Sequence, residues 1–120
     1  MQPLRSVLVA LAERPEVAGV AVVSDEGLIV EAALPATLDP DAVAAHAVSV
    51  LRYLASLGGA VCQGAPRQVV VEGAAGVLVL HRLPGGATLL VLAAPGEDLG
   101  MLLNDLRRHA PALEQFIQGG

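Results

Sequence analysis

The sequence predicts an α+β domain, a five-stranded antiparallel sheet covered by helices on both faces, in the order α-β-β-α-β-β-β-α. The stretch 67–94 carries this prediction, because it holds three short runs rich in Val and Leu, separated by glycine-bearing turns. Links this short join antiparallel neighbours, so the three runs form a meander. Runs such as Val69-Val70-Val71 place apolar side chains on both faces, and such a sheet must be covered on both sides.

Local signals give the remaining elements in order. A first helix is expected at 3–14, ended by Pro15. Asp25 and Gly27 mark a hairpin turn between strands at 18–23 and 28–34. Asp39 before Pro40 is a helix start, and the second helix is expected to run to 57, where Gly58-Gly59 end it. Three further strands are expected at 68–72, 77–82 and 87–94, then a last helix at 97–109 and one more turn at 112–118.

Composition excludes several classes of function. The 120 residues have the length of one ordinary domain, 1–120, and are 54% hydrophobic. Seven arginines, no lysine and a net charge of −5 argue against nucleic-acid binding. A single cysteine, Cys62, argues against a disulfide framework and a cysteine zinc site. No uninterrupted apolar run reaches the roughly 18 residues of a membrane span, and the start lacks a secretory signal, so we expect a cytoplasmic protein without a membrane span.

Catalytic and cofactor motifs are not recognisable. The sequence contains no phosphate-binding loop, and His46, His81 and His109 lie in separate elements without metal-ligand spacing. The acidic pairs lie at turns and helix starts, where capping and turn chemistry explain them. We therefore expect no metal, no cofactor and no enzymatic activity.

The middle helix is apolar over about half its circumference, more than the ~100° stripe that one sheet requires. Helical spacing places the following residues on the sheet: Val43, Ala47, Val50 and Leu54. An additional apolar flank is expected to contact a second copy of the chain: Ala44, Val48, Leu51 and Ala55. The alternative is that another helix of the same chain covers this flank. The polar remainder is predicted to be a partner-binding surface: His46, Ser49, Arg52, Tyr53 and Ser56.

An ordered set of short segments completes the pattern. It consists of Val17-Ala18-Gly19-Val20, Asp25-Glu26-Gly27-Leu28, the Ala-rich helix from Asp39, Val69-Val70-Val71-Glu72, Gly76-Val77-Leu78-Val79, Gly86-Ala87-Thr88-Leu89, Leu92-Ala93 and Leu99-Gly100. With this set the chain resembles the Roadblock domain, the small profilin-like domain of dynein light chains and of bacterial gliding-motility regulators. The resemblance covers nearly the whole chain.

The resemblance implies how the domain works. Two copies are expected to form a homodimer through the middle helices and the edge of the third strand, which adds Gln68 and Val70 to the interface. The prokaryotic members bind and regulate small Ras-like GTPases in signalling, cell polarity or motility, and some activate hydrolysis. They are thought to position the GTPase's own groups, so Arg52 is not expected to be an arginine finger.

Two other functions remain open. One is a dimeric scaffold or adaptor without effect on nucleotide turnover. The other is a sensory domain that binds a small molecule, which the scarcity of aromatic and convergent polar residues disfavours.

Overall fold

The computed structural model describes residues 4–95, 100–101, 103–104 and 106–108. Its helices and strands, in chain order, are α1 Leu4–Ala12, β1 Val17–Val23, β2 Ile29–Ala33, α2 Pro40–Ala60, β3 Gln68–Glu72, β4 Val77–Arg82 and β5 Thr88–Ala93. They follow the predicted order, although α1 ends two residues early. The described residues from 100 to 108 are helical, as expected for the last helix. Its predicted start at 97–99 and the turn at 112–118 lie outside the described residues.

The five strands form one antiparallel sheet in the order β2-β1-β5-β4-β3, which confirms the predicted architecture. β3, β4 and β5 make the predicted meander, and the β1–β2 hairpin continues the sheet beyond β5. Gly27, in the β1–β2 turn, and Gly86, in the β4–β5 turn, have φ values of 87° and 100°, a conformation that glycine adopts without strain. β2 and β3 are therefore the two edges of the sheet.

Helices cover both faces of the sheet, as the apolar strands predict. On one face, Leu8 and Leu11 of α1 and the helical Leu106 pack in one cluster with Val79 and Val91. On the other face, α2 packs on the remaining side chains of the same strands; this cluster consists of Ala21, Ala47, Leu51, Leu80 and Leu90. The two faces are called the α1 face and the α2 face below.

The N-terminus of α2 has the predicted cap. The Asp39 side chain accepts a hydrogen bond of 3.0 Å from the Asp41 backbone N–H, and Pro40 occupies the first turn.

The C-terminus of α2 differs from the prediction, because the helix continues through Gly58 and Gly59 to Ala60. The chain then folds back on the helix, and the backbone N–H groups of Gln63 and Gly64 donate to the Gly58 carbonyl at 2.8 and 3.1 Å. A Cβ atom on Gly58 would lie 1.8 Å from the Gly64 carbonyl oxygen. Gly58 thus permits the close return of the loop and does not terminate the helix.

The face of α2 that packs on the sheet also differs from the prediction. Ala44, Val48 and Leu51, assigned above to the dimer interface, are only 0%, 8% and 5% exposed within one protomer. Val50, predicted to lie on the sheet, is 45% exposed. The physical reason is that α2 also covers the β1–β2 hairpin, where Ala44 and Val48 form a cluster with Val23. The interface assignment of Ala44, Val48 and Leu51 was therefore wrong, because the protomer's own core already contains their side chains.

Candidate interaction surface on α2 and β3

The side of α2 that does not contact the sheet carries a stripe of exposed apolar residues. The stripe is defined by Val50, Tyr53 and Leu57 of α2 and Val61 at its C-cap, which are 45%, 78%, 53% and 54% exposed. By length and composition alone, α2 is long and apolar enough to cross a membrane. Because its inner face packs on the sheet, the apolar excess lies in the stripe. An exposed apolar stripe of this kind is typical of an interaction surface.

A groove joins the stripe to β3. It has a volume of about 410 Å³. Its walls are Leu54, Leu57, Gly58 and Val61 on the helix side and Gly64, Pro66, Gln68, Val69 and Val70 on the strand side. The stripe and the edge strand thus form one continuous surface.

β3 presents unpaired backbone groups along this surface. Two backbone hydrogen bonds of 2.8 Å mark the ends of the β3–β4 ladder. At one end the Arg82 N–H donates to the Arg67 carbonyl, and at the other the Gly73 N–H donates to the Gly76 carbonyl. Antiparallel strands bond through alternate residues, so odd-numbered residues of β3 bond to β4. The even-numbered residues direct their backbone N–H and C=O groups to the open side; they are Gln68, Val70 and Glu72.

The opposite edge, β2, is protected in two ways. Its pairing with β1 contains an irregularity beside Val22 and Val23, which interrupts a regular ladder. A Glu31 carboxylate oxygen also accepts a hydrogen bond of 3.3 Å from the Ala32 backbone N–H. Such features discourage pairing of an edge strand with another chain. Of the two edges, β3 is the one suited to receive a further strand.

The predicted partner-binding residues all lie on the exposed side of α2. They are His46, Ser49, Arg52, Tyr53 and Ser56. The two serine hydroxyl groups donate to backbone carbonyls one helical turn earlier, at 3.0 Å for Ser49 and 3.3 Å for Ser56. Each serine hydroxyl therefore already donates its hydrogen within α2, and its oxygen is left to accept a hydrogen bond from a partner. Tyr53, 78% exposed, is the most exposed of the large hydrophobic side chains that the structure describes and offers a large contact area.

The predicted interface residues are divided by the fold. Gln68 and Val70 lie on the open edge, and Val70 is 37% exposed. Ala55 is half-buried beside the core residues. Sequence reasoning missed Leu57 and Val61 and placed Val50 on the wrong side. Their signal was present, because Val50 and Leu57 are seven residues apart and lie on one helical stripe.

A polar pair lies beside the open edge. Nδ1 of His81 on β4 is 3.1 Å from Oε1 of Gln68 on β3. Burial lowers the pKa of His81 below its ordinary value of 6.5, and the positive charge of Arg107 lowers this pKa further. The imidazole is therefore neutral near pH 7, and its Nδ1–H donates to the amide oxygen.

The described residues contain no group of three or more His, Cys, Asp or Glu side chains that could hold a metal ion. The chemistry that this surface offers is apolar contact, strand pairing and hydrogen bonding.

Comparison with known proteins identifies the family. The sequence model of the Roadblock/LC7 domain matches residues 4–93. The chain belongs to the Roadblock/LC7 family. No curated protein matches the chain significantly.

Three solved structures share the Roadblock fold over most of their length. Myxococcus xanthus MglB has a TM-score of 0.89 at 15% identity, covering 98% of this chain and 96% of that one. A Roadblock/LC7 domain from Streptomyces avermitilis has a TM-score of 0.74 at 26% identity, covering 98% and 99%. The gliding protein MglB from Thermus thermophilus has a TM-score of 0.84 at 13% identity, covering 98% and 90%.

Proposed function

We propose that this Roadblock domain is a homodimeric cytoplasmic regulator that binds a small Ras-like GTPase. Membership of the family and the likeness to MglB over nearly the whole chain support a regulatory role. The observation that carries the dimer is the open β3 edge beside the apolar stripe of α2. Self-association is further supported by a similar MglB structure with a tetrameric arrangement.

The dimer forms through the β3 edge and the part of the stripe made by Val50, Leu57 and Val61, whereas Tyr53 stays on the outer face. Pairing of β3 with its counterpart extends the sheet and satisfies the outward backbone groups of both strands. Val50, Leu57 and Val61 then pack against the partner subunit's α2, since both helices lie on the same face of the combined sheet. This contact removes from water the apolar area that one protomer leaves exposed.

The GTPase docks on the outer face of the paired helices. Tyr53 and Arg52 of each protomer supply an aromatic anchor and a positive charge there, and the dimer presents them twice. Aromatic and arginine side chains are the residue types that carry most binding energy in protein interfaces. Stimulation of hydrolysis, where it occurs, comes from positioning of the GTPase's own catalytic groups.

The test is single-turnover GTP hydrolysis by the small Ras-like GTPase of the same organism, with and without this protein, with binding measured in parallel. Acceleration is expected, and Tyr53→Ala is expected to lose it together with at least tenfold in binding affinity, or about 1.4 kcal/mol. The matched control is Glu13→Ala in the exposed turn that follows α1, which should behave as the parent. Binding without acceleration would indicate a scaffold, and no binding would refute the GTPase assignment.

A further inference from the structure

We propose that the two β3 strands pair in a register centred on Val70, and that the partner's Glu72 is bound by the Gln68 side chain, which His81 holds in place. This inference rests on the proposed homodimer and specifies which residue of each copy completes the interface. Each dimer then contains two identical polar clamps, one at each end of the strand pair.

The outward residues of β3 also share one face of the sheet. Val70 pairs with Val79, and Val79 pairs with Val91, both of which lie in the core of the α1 face. Side chains directly opposite in neighbouring strands point to the same face. Side chains two apart along a strand do so as well, so those of Gln68, Val70 and Glu72 all lie on the α1 face.

A two-fold axis perpendicular to the sheet leaves few registers. Two residues that lie opposite each other must have their side chains on the same face of the sheet. Their backbone groups must also both point toward the other strand or both point away from it. These conditions place the axis at Val69, Val70 or Val71. An axis at Val70 pairs every outward residue of one strand with an outward residue of the other. An axis at Val69 or Val71 leaves one outward residue of each strand beyond the paired segment.

The side chains favour the same register. With the axis at Val71, the Glu72 carboxylate lies opposite the partner's Val70, whose side chain is apolar. With the axis at Val69, Pro66, which has no backbone N–H, lies opposite the partner's Glu72. With the axis at Val70, the partner's Glu72 lies opposite Gln68, an amide that can donate to a carboxylate.

The His81 contact prepares Gln68 for this role. Because the amide oxygen lies 3.1 Å from Nδ1 of His81, the amide nitrogen is the group left to bind across the interface. The positive charge of Arg107 lowers the pKa of His81, so a cation lies near the residue that holds Gln68. Glu72 itself is exposed at the end of its strand and available to the partner.

The α2 face is completed by the same pairing. Val71, 47% exposed in one protomer, lies opposite the partner's Val69. Val69 forms part of the groove below Leu57 and Val61. Each protomer's groove therefore receives Val71 of the other protomer, so the register that forms the clamp also covers exposed apolar side chains.

Disulfide trapping measures the register. In a Cys62→Ser background, the variants Val69→Cys, Val70→Cys and Val71→Cys are oxidised separately and their covalent dimers are quantified. With the axis at Val70, the two Cα atoms at position 70 are about 5.5 Å apart, a distance that a disulfide spans. The Cα pairs at positions 69 and 71 are then about 8 Å apart, which is too far. Efficient trapping at position 70 alone is expected, and stronger trapping at 69 or 71 overturns the register.

A charge exchange tests the clamp. Gln68→Glu places two carboxylates opposite each other and should weaken dimerisation at least tenfold in sedimentation equilibrium. Adding Glu72→Gln to it restores an amide–carboxylate pair and should recover most of the affinity. Ser6→Glu on exposed α1 adds the same charge and should leave the dimer unchanged.

The outcomes separate the two proposals. A monomeric Cys62→Ser parent overturns the homodimer itself and the clamp with it. A dimer that traps at position 70 without recovery in the double variant overturns the clamp alone.

Discussion

Two adjacent glycines of α2 should respond in opposite directions to the same substitution. Both Gly58 and Gly59 are helical, and glycine in a helix is about 1 kcal/mol less favourable than alanine. A Cβ on Gly59 meets no atom within 4 Å, so Gly59→Ala should raise the free energy of unfolding by roughly 0.5–1 kcal/mol. The neighbouring site lacks this freedom.

At Gly58 the same methyl group meets backbone. Its Cβ would lie 1.8 Å from the Gly64 carbonyl oxygen, and a backbone carbonyl cannot rotate away as a flexible side chain can. The loop must move, which breaks the bonds of Gln63 and Gly64 to the Gly58 carbonyl. Overpacking costs about 1–3 kcal/mol, so Gly58→Ala should lower stability even after the gain in helix propensity. Because both variants gain the same helix propensity, they should differ by the overpacking cost alone, about 1–3 kcal/mol.

Urea unfolding followed by circular dichroism measures this difference, at one fixed protomer concentration because the proposed dimerisation would make stability depend on concentration. Since Gly58 and Gly64 both line the groove, Gly58→Ala should also weaken dimerisation in sedimentation, whereas Gly59→Ala should not. The reasoning is refuted if Gly58→Ala is as stable as Gly59→Ala.

Three further predictions follow from single side chains. Asp39→Ala removes the cap of α2 and should lower the free energy of unfolding by about 1 kcal/mol in urea titration, while Asp39→Ser should retain most of it. Leu57→Glu should dissociate the dimer in sedimentation, because it places an unpaired charge at the helix contact. Glu13→Gln in the turn after α1 is the control, and a dimeric Leu57→Glu would exclude the stripe from the interface. Because the pKa of His81 is lowered in the folded state, the folded protein binds fewer protons than the unfolded chain. The free energy of unfolding is therefore highest above pH 6.5 and falls as the pH drops through 6.5 toward the pKa of the folded state. His81→Gln should reduce this loss between about pH 7.5 and about pH 5.5, and an unchanged pH dependence would contradict the assignment.

The sequence predicted the elements well because their signals are local. Asp39-Pro40 specifies a helix start through its own backbone chemistry, and Gly27 and Gly86 specify hairpin turns through left-handed conformations. The meander follows from link length alone. Such features can be predicted without knowing which residues pack against them.

The orientation of α2 was not predictable from its own sequence. Its apolar arc is so wide that either flank could face the sheet, and only packing over the β1–β2 hairpin decides in favour of Ala44 and Val48. The predicted end of α2 was wrong for a similar reason. The role of Gly58 depends on the close approach of the Gly64 backbone, which the local sequence does not reveal. The contact between Gln68 and His81 depends on strand register, which the apolar runs leave undetermined.

The unequal edges of the sheet limit how far the protein can assemble. Once two β3 strands have joined, the combined sheet ends in β2 on both sides, and each of these strands is irregular and occupied by its own Glu31 side chain. Growth strand by strand, the route to fibrils, therefore stops after one addition. The chain can be unusually apolar and still form a particle of finite size, because it offers a pairing edge on one side only.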